Sequence, residues 1–420
     1  MGLILGRDGY RGRMRFAADL HLHSRFSEKV SPTMTVENIA VWALRKGVDL
    51  LGTGDCLQPE WRAEIEAQTV EAEPGLRVLS AETERVVRAR LPAGLWRPLR
   101  FILSTEVNCA PPGTEEIKGL HQLLYFPSVA VAREFAARVE KLGDLREGRP
   151  TLGISAELLL RGTRQFDRVY QAAAHAMNPW FSVFGVIGGE LALERGYGAE
   201  LPHLLAVETG LTSDPAMCRR VPGLDGCGLF SCSDAHSLEN LGRESTLLDV
   251  APDYDAVMGA LRAGTKDRVV GMLKFPLELT RYHLNWCSHC KTPFDAQRCP
   301  SCGRALTMGS RDRLETLEHV RPEPCWPAGS PPFETLRPLA YVIAAVEGRR
   351  PDGAGVRATA AELVDRLGNH ERHILTEATV EELVAVTSPE IAGAILAQRT
   401  GAVSRPSGSG AVLGQAGFGF

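Results

Sequence analysis

Apolar and polar positions follow two alternating patterns between residues 15 and 275. Short apolar runs of strand type are separated by segments in which apolar residues recur with the period of a helix. One helical segment should begin after Thr35 and end at Gly47, and the next should open at Pro59. Buried strands that alternate with helices predict an α/β fold, built either as a parallel β/α barrel or as a doubly wound sheet.

The individual segments can be read directly from the sequence. The predicted strands are FAADLHLHS, VDLLGTGD, LRFILSTE, HQLLYF, LLAVETG, CGLFSCSDAHS and STLLDV. The predicted helices are TVENIAVWALRKG, PEWRAEIEAQ, SVAVAREFAARVEKLG and DYDAVMGALRAG.

The pattern changes after residue 280, and the chain divides accordingly. Residues 281–310 are rich in cysteine and too poor in apolar residues to fold around a core of their own. A proline-rich stretch and several helical patterns follow, which predicts a small helical domain. We therefore expect an N-terminal extension, a catalytic barrel, a zinc-binding segment, a helical domain and a Gly/Ser-rich tail, at residues 1–14, 15–280, 281–310, 311–405 and 406–420.

Composition and charge restrict the classes of protein that fit. Hydrophobic residues make up 44% of the 420 residues, which is typical of a packed globular protein. No apolar run is long enough to span a bilayer and the N-terminus lacks signal-peptide character, so we expect a cytoplasmic protein without a membrane partner. The net charge of −4 argues against a simple polybasic nucleic-acid binder but allows a local basic groove.

Metal-binding residue types recur where the predicted strands end. In a strand, His21 and His23 would project from the same face, with Asp19 in the same row. Further histidines and carboxylates follow later strands, and the C-terminal ends of strands in a parallel barrel converge on one rim. The predicted metal ligands are His21, His23, Asp55, Glu106, His121, His175, Glu208, Asp234 and His236. His121 is the exception in this set, because it precedes its apolar run.

Imidazole combined with carboxylate suits Zn, Mn or Fe better than an all-oxygen calcium site. Because this set exceeds the needs of one ion, we expect two to three divalent ions in the barrel, either Zn, Mn or Mg. Neighbouring divalent ions suit phosphoryl transfer, since they activate a water and stabilise the attacking and leaving oxygens. We expect the catalytic roles to fall to Asp234, His236 and His175.

Several of these residues have a structural alternative. Asp55 would serve equally as a helix cap near Pro59, and Glu106 as a solvated loop carboxylate. His175 would serve as a core histidine, and Glu208 as an acceptor for backbone amides of the TGLTSD turn. The Asp234-x-His236 pair is harder to explain in this way, because it mirrors His21-x-His23.

Four of the ten cysteines form two CxxC pairs, and the other six are scattered. Paired CxxC motifs place four thiolates around a tetrahedral zinc ion, and such an ion would replace the missing core of this segment. The predicted structural zinc ligands are Cys287, Cys290, Cys299 and Cys302.

The motifs DLHLHS and SDAHS together resemble those of the polymerase and histidinol phosphatase (PHP) superfamily. The further stretches TGDCLQPEW, STEVNC, HQLLYFPS, AHAMNPWFSVFG, ETGLTSDPAM and NLGRES, with the four cysteines, resemble endonuclease Q. This resemblance implies a distorted β/α barrel with a trinuclear metal site. It also implies an enzyme that cuts the phosphodiester 5′ to uracil, hypoxanthine, xanthine or an abasic site in DNA.

The sequence departs from the superfamily pattern at two places. Asp55 stands where the superfamily more often has a histidine, in a Thr-Asp-His motif. The chelating residue that often follows the first histidine pair is not evident, since Lys29 stands near that place and Glu28 is its only acidic neighbour.

Three functions fit these motifs. The first is an endonuclease acting on double- or single-stranded DNA that contains damaged bases. The alternatives are a small-molecule phosphoesterase of histidinol-phosphatase type and a non-catalytic nucleic-acid-binding protein. Trp180 and Phe181 either form the wall of a base pocket or pack in the core. Separately, the terminal GQAGFGF faintly resembles a sliding-clamp peptide, so a sliding clamp is a possible partner.

Overall fold

The structure is a computed structural model and describes residues 13–113, 119–186, 189–401 and 403–404. The strands are β1 (Met14–Asp19), β2 (Leu50–Gly52), β3 (Thr69–Glu73), β4 (Leu76–Leu79), β5 (Arg100–Cys109), β6 (Leu120–Phe126), β7 (Thr151–Leu152), β8 (Tyr170–Ala173), β9 (Val207–Glu208), β10 (Leu229–Phe230), β11 (Ser245–Val250), β12 (Val269–Lys274), β13 (Asn285–Cys287), β14 (Thr292–Phe294), β15 (Phe333–Thr335) and β16 (Val403–Ser404).

The α-helices lie between and after these strands. They are α1 (Val36–Lys46), α2 (Pro59–Gln68), α3 (Ala81–Arg88), α4 (Val129–Val139), α5 (Ala156–Thr163), α6 (Leu193–Tyr197), α7 (Pro215–Cys218), α8 (Tyr254–Ala263), α9 (Ser310–Leu314), α10 (Leu339–Glu347), α11 (Ala354–Leu367), α12 (Glu371–Thr376), α13 (Val380–Val386) and α14 (Pro389–Gly401).

Local sequence signals set the first two helices as predicted. The hydroxyl of Thr35 accepts a hydrogen bond from the backbone N–H of Asn38, and Gly47 ends α1 with a φ of 91°. The second helix begins at Pro59. Helix α4 ends at Val139, four residues before the glycine that was expected to close it.

The main sheet confirms the α/β class and has mixed strand directions. Its strands lie in the order β10, β9, β8, β6, β5, β2, β1, β11, β12, β15 and β16. Strands β1, β2 and β5 are parallel, whereas β6 runs antiparallel to β5. The link from β5 to β6 is too short for the crossover connection that a parallel pair would require.

The sheet curls so that the end of β10, the first strand in this order, lies beside the end of β1. Leu22, just after β1, forms an isolated parallel bridge with Ala235, which lies beyond β10. The N–H of His23 donates to the carbonyl of Ala235 at 3.0 Å. The ends of β1 and β10 are therefore neighbours. So are the motifs that follow them, His21-x-His23 and Asp234-x-His236.

Three clusters of buried apolar residues form the interior. Two of them lie within and around the curled sheet, and the third consists mainly of residues from α10–α14. Leu314, Leu317 and Phe333 belong to the largest barrel cluster and not to the helical one. The four-cysteine segment and the C-terminal helices are thus present as predicted.

The expected N-terminal extension lies almost entirely outside the described residues, as do the Gly/Ser-rich tail and the clamp-like GQAGFGF. Within the described ranges, no helix is long and apolar enough to cross a membrane.

Candidate metal centre

Glu106 lies at the middle of a buried cluster of histidines. It sits on β5 and is 1% exposed. Its Oε1 lies 2.8 Å from Nδ1 of His121 and 2.9 Å from Nε2 of His175, and its Oε2 lies 3.3 Å from Nε2 of His23. Oε1 also lies 3.5 Å from Nε2 of His21, so one carboxylate faces four imidazoles.

Each histidine of the His-x-His motif is held by its own carboxylate. Nδ1 of His21 lies 2.9 Å from Oε2 of Glu208, and Nδ1 of His23 lies 3.1 Å from Oδ1 of Asp55. The Nε2 atoms of both rings then face Oδ1 of Asp234, at 3.4 and 3.3 Å. A carboxylate behind one ring nitrogen is the usual support for a histidine that binds metal through the other.

The second Asp/His motif completes the rim. Asp234 and His236 follow β10, and Nδ1 of His236 lies 2.9 Å from the backbone oxygen of Asp234. The His236 side chain is one-third exposed, whereas His21 and His23 are buried. Of these residues, His236 is therefore the one that a substrate reaches most readily.

The backbone is strained at three residues of the centre. Asp55, His175 and Asp234 have φ values of 47°, 27° and 47°, in the region that non-glycine residues rarely adopt. Such strain persists only where surrounding contacts over-determine the conformation, and it is concentrated at functional sites.

Three overlapping groups of donors are close enough to hold metal ions. They are His21, His23 and Glu106; His23, Asp234 and His236; and Glu106, His121 and His175. Seven of the nine predicted ligands are in these groups. Asp55 and Glu208 are not, because they face the Nδ1 atoms of the histidines instead.

The structural alternatives for these residues do not fit the observed contacts. Helix α2 is capped by Gln58, while Asp55 accepts hydrogen bonds from the hydroxyls of Ser24 and Ser27. Glu106 lies within a strand, not in a solvated loop. Glu208 accepts its backbone N–H from His175, not from the turn that follows it.

Despite burial, the carboxylates of the centre hold the pKa of His21, His23 and His175 above the ordinary value. Burial would lower the pKa of His23, but the carboxylates of Asp55, Asp234 and Glu106 raise it to about 10. Burial would raise the pKa of Glu106, but His121 and His21 hold it well below its usual range. A metal cation would interact favourably with the same carboxylates that otherwise keep protons on the histidines.

Several buried polar atoms fit a metal because they have no hydrogen-bond partner among the described residues. They are Nε2 of His21, Nε2 of His23, Nδ1 of His175 and Oδ1 of Asp234. Leaving such atoms unpaired costs about 1–3 kcal/mol each. The unpaired atoms of His21, His23 and Asp234 lie among the donor groups, and imidazole with carboxylate suits Zn, Mn or Fe, so the residues present fit divalent ions.

Arg149 is a component that the sequence reasoning missed. Its Nη1 lies 3.2 Å from Oε2 of Glu106, and about a quarter of its side chain is exposed. The preceding residue, Gly148, packs so closely that a Cβ there would lie 2.6 Å from Oδ2 of Asp55. No motif marks this arginine, since only tertiary packing brings its loop to the centre.

A cavity of about 410 Å³ opens beside the centre. Phe181 stacks on the ring of His121 with centroids 4.7 Å apart, and Trp180 packs edge-on against Tyr282. Both aromatic residues are half-buried and do not belong to the core clusters. The residues that line the cavity are Phe26, Ser27, Glu28, Asn108, His121, Glu147, Arg149, Thr151 and Phe181, and Trp180 is not among them.

Glu28 and Lys29 are exposed and pair with each other at 3.0 Å. They stand near the place where the superfamily often has a further chelating residue. They are not in any of the donor groups found among the described residues.

The four cysteines converge as the CxxC spacing predicts. Sγ of Cys287 lies 3.7 Å from Sγ of Cys302, and Sγ of Cys290 lies 3.7 Å from Sγ of Cys299. Thiolates at the corners of a tetrahedron with Zn–S bonds of about 2.3 Å would be about 3.8 Å apart. All four are free thiols, so the segment fits one zinc ion and is not cross-linked by disulfides.

The fold and the site together are those of a metal-dependent phosphoesterase or nuclease, in general terms. More particularly, the chain is similar to endonuclease Q. The lesion-specific endonuclease PfuEndoQ from Pyrococcus furiosus matches with a TM-score of 0.76 and 29% identity, over 92% of this chain and 91% of that one. Endonuclease Q in complex with a 27-mer duplex carrying an abasic lesion matches with a TM-score of 0.78 and 28% identity, over 92% of each chain. The resemblance inferred from the motifs is therefore confirmed.

Two uncharacterized proteins of related sequence match the chain to different extents. The uncharacterized protein YqxK of Bacillus subtilis is 26% identical, over 95% of this chain and 98% of its own length. The uncharacterized protein MJ0043 of Methanocaldococcus jannaschii is 31% identical over 226 residues, which are 50% of this chain and 28% of MJ0043. No protein-family model matches the chain.

Proposed function

We propose that this protein is a metal-dependent DNA endonuclease that cuts the phosphodiester 5′ to deaminated bases or abasic sites. The observation that carries the proposal is the presence of three overlapping donor groups, two of which contain Glu106, in a chain that is similar over nearly its whole length to endonuclease Q. A cytoplasmic location, with access to DNA, fits this role.

In this proposal, the metal ligands are the seven residues of the donor groups. Asp55 and Glu208 orient His23 and His21, and this replaces the expectation that they bind metal directly. The chemistry that bound divalent ions supply at such a centre is activation of water and stabilisation of the phosphate oxygens.

The exposed side of the centre carries the groups that meet the substrate. His236 is reachable from solvent and is positioned to contact the phosphodiester. Arg149 presents a guanidinium next to Glu106, where it would stabilise negative charge that develops on the phosphate. Asp234 and His175 are less exposed and are two of the seven proposed ligands.

Selectivity for damaged bases requires a feature apart from the metal centre, since phosphodiester hydrolysis is indifferent to the base. The cavity beside His121 supports this, because Phe26 and Phe181 offer aromatic surfaces and Asn108 and Thr151 offer polar groups. An extruded base is commonly held by stacking and by hydrogen bonds to its edge.

The two alternatives have less support. A small-molecule phosphoesterase needs neither the four-cysteine segment nor the helical cluster, and the full-length structural matches do not favour it. A non-catalytic binding protein does not account for the nearly complete set of buried donors.

The test is a labelled duplex with one central U·G pair, incubated with the protein and Mg²⁺ or Mn²⁺ and resolved on a denaturing gel. We expect a nick 5′ to the uracil that leaves a 3′-hydroxyl, without release of free uracil. An undamaged duplex of the same sequence is the matched control, and p-nitrophenyl phosphate tests the small-molecule alternative. Equal cutting of the control, or a product that ends 3′ to the uracil, would overturn the proposal.

A further inference from the structure

Lys274 is a lysine buried beneath the metal centre. It is the last residue of β12 and is 1% exposed. Its Nζ donates to Oγ1 of Thr209 at 2.9 Å, to the backbone oxygen of Gly210 at 2.7 Å and to Oγ of Ser231 at 2.9 Å, and it pairs with Glu244. A buried ammonium with this many oxygen partners holds all of them in one arrangement.

Those partners lie next to residues of the metal centre. Thr209 directly follows Glu208, which holds His21. Gly210 packs against His175 so closely that a Cβ would lie 2.6 Å from the His175 Cβ. Ser231 precedes Asp234 by three residues on the segment that leaves β10. The ammonium therefore connects the ends of β9 and β10 at the point where each delivers its donor.

The lysine is itself fixed from the opposite side. Glu244 accepts a hydrogen bond from the hydroxyl of Ser231 at 2.9 Å and from the backbone N–H of Phe275 at 3.0 Å. The carbonyl of Lys274 accepts the N–H of Leu336, and β12 pairs in parallel with β15. Lys274 is therefore anchored within the sheet.

We propose that Lys274 is a positioning residue of the metal centre. It holds the ends of β9 and β10 so that Glu208, His175 and Asp234 converge before any ion is bound. The strained φ values of His175 and Asp234 require such surrounding contacts. This inference rests on the metal centre of the proposed function, but it concerns how the centre is built and not which substrate is cut.

The test compares Lys274→Met with the double variant Lys274→Met/Glu244→Gln. The single change leaves Glu244 buried and unpaired, which is destabilising by itself, whereas the double change removes both charges. Lys46→Met is the matched control, because Lys46 also forms a largely buried pair, 2.7 Å from Glu371, but does not contact the centre.

The readout is a Mn²⁺ titration followed by electron paramagnetic resonance, with thermal unfolding measured in parallel. Mn²⁺ prefers oxygen and nitrogen donors, so the four-thiolate segment does not contribute. The spectrum of neighbouring Mn²⁺ ions depends on the distance between them. A variant that loses only folding stability would keep this distance, and therefore the spectrum, unchanged.

We expect both Lys274 variants to bind Mn²⁺ at least tenfold more weakly than wild type, with an altered spectrum, while the double variant regains thermal stability. Lys46→Met should lose stability and retain the wild-type affinity and spectrum. A folded double variant with wild-type affinity and spectrum would overturn the inference alone. A wild-type protein that binds no Mn²⁺ would overturn it together with the proposed function.

Discussion

Oε2 of Glu208 accepts two hydrogen bonds, one from Nδ1 of His21 at 2.9 Å and one from the backbone N–H of His175 at 2.8 Å. A single buried oxygen thus orients one predicted ligand through its ring and another through its backbone. Since His21 and His175 belong to different donor groups, Glu208 links two of the proposed metal positions without joining either.

Replacing Glu208 by Gln should weaken metal binding in the barrel. The amide retains an acceptor but loses the charge that raises the basicity of His21, and losses of about 10- to 100-fold in affinity are typical for such partners. The measurement is the competition of a chelator for the barrel ions. Glu200→Gln is the control, because Glu200 is also buried but pairs with Arg161 and Arg164. Equal affinities in the two variants would contradict the role of Glu208.

Asp234→Asn should retain the fold and lose most of the hydrolysis. Its Oδ1 faces Nε2 of both His21 and His23, and a neutral amide holds a cation there much less well. We expect kcat for nicking the U·G duplex to fall at least about 100-fold, which corresponds to about 2.7 kcal/mol. Asp225→Asn, at an ion pair with Arg321, is the control. Unimpaired turnover by Asp234→Asn would show that Asp234 is not needed in the metal centre.

Changing Cys287, Cys290, Cys299 and Cys302 to Ser should remove one zinc ion per chain. Loss of this ion should destabilise the segment and weaken DNA binding, because the segment lacks a hydrophobic core and depends on the metal for folding. Metal analysis checks the zinc content, and a Mn²⁺ titration should show the barrel unchanged. Cys325→Ser, at an exposed thiol, is the control. If zinc content were the same in wild type and the four-serine variant, the site would not exist.

His370 should make stability fall as the solution becomes acidic. Burial, together with Arg97 and Arg372, lowers the pKa of His370 to about 2, and its Nδ1 accepts the N–H of His373 at the start of α12. Between pH 6.5 and 2 the unfolded chain binds a proton at this residue and the folded chain does not. Its contribution to stability is therefore present above pH 6.5 and is lost as the pH falls, by at most about 1.4 kcal/mol per unit.

Asn in place of His370 can still cap α12 but does not titrate. From pH 7 to pH 5, the free energy of unfolding of wild type should fall by up to about 2 kcal/mol more than that of His370→Asn. Urea denaturation at each pH provides the measurement. His203→Asn, at an exposed histidine, is the control. Parallel pH profiles for wild type and His370→Asn would contradict the prediction.

Local patterns in the sequence determined much of the fold class and of the site. The signals at Thr35, Gly47 and Pro59 act within a few residues, so they predicted helix boundaries that the structure reproduces. The CxxC pairs predicted a cluster of four thiolates for the same reason. The chemical types of the metal donors were also evident, because histidine and carboxylate pairs followed apolar runs.

Only the tertiary structure decided which carboxylate lies in a group of possible metal donors and which lies outside these groups against a histidine. Asp55 and Glu106 both follow or end apolar runs in the sequence, yet Asp55 contacts Nδ1 of His23 and Glu106 belongs to two of the donor groups. The direction of a side chain at a strand end depends on the backbone there, and Asp55 has a positive φ. Arg149 and Lys274 carry no motif, since their positions result from strands far apart in sequence that pack together. Such long-range packing has no local signal in the chain.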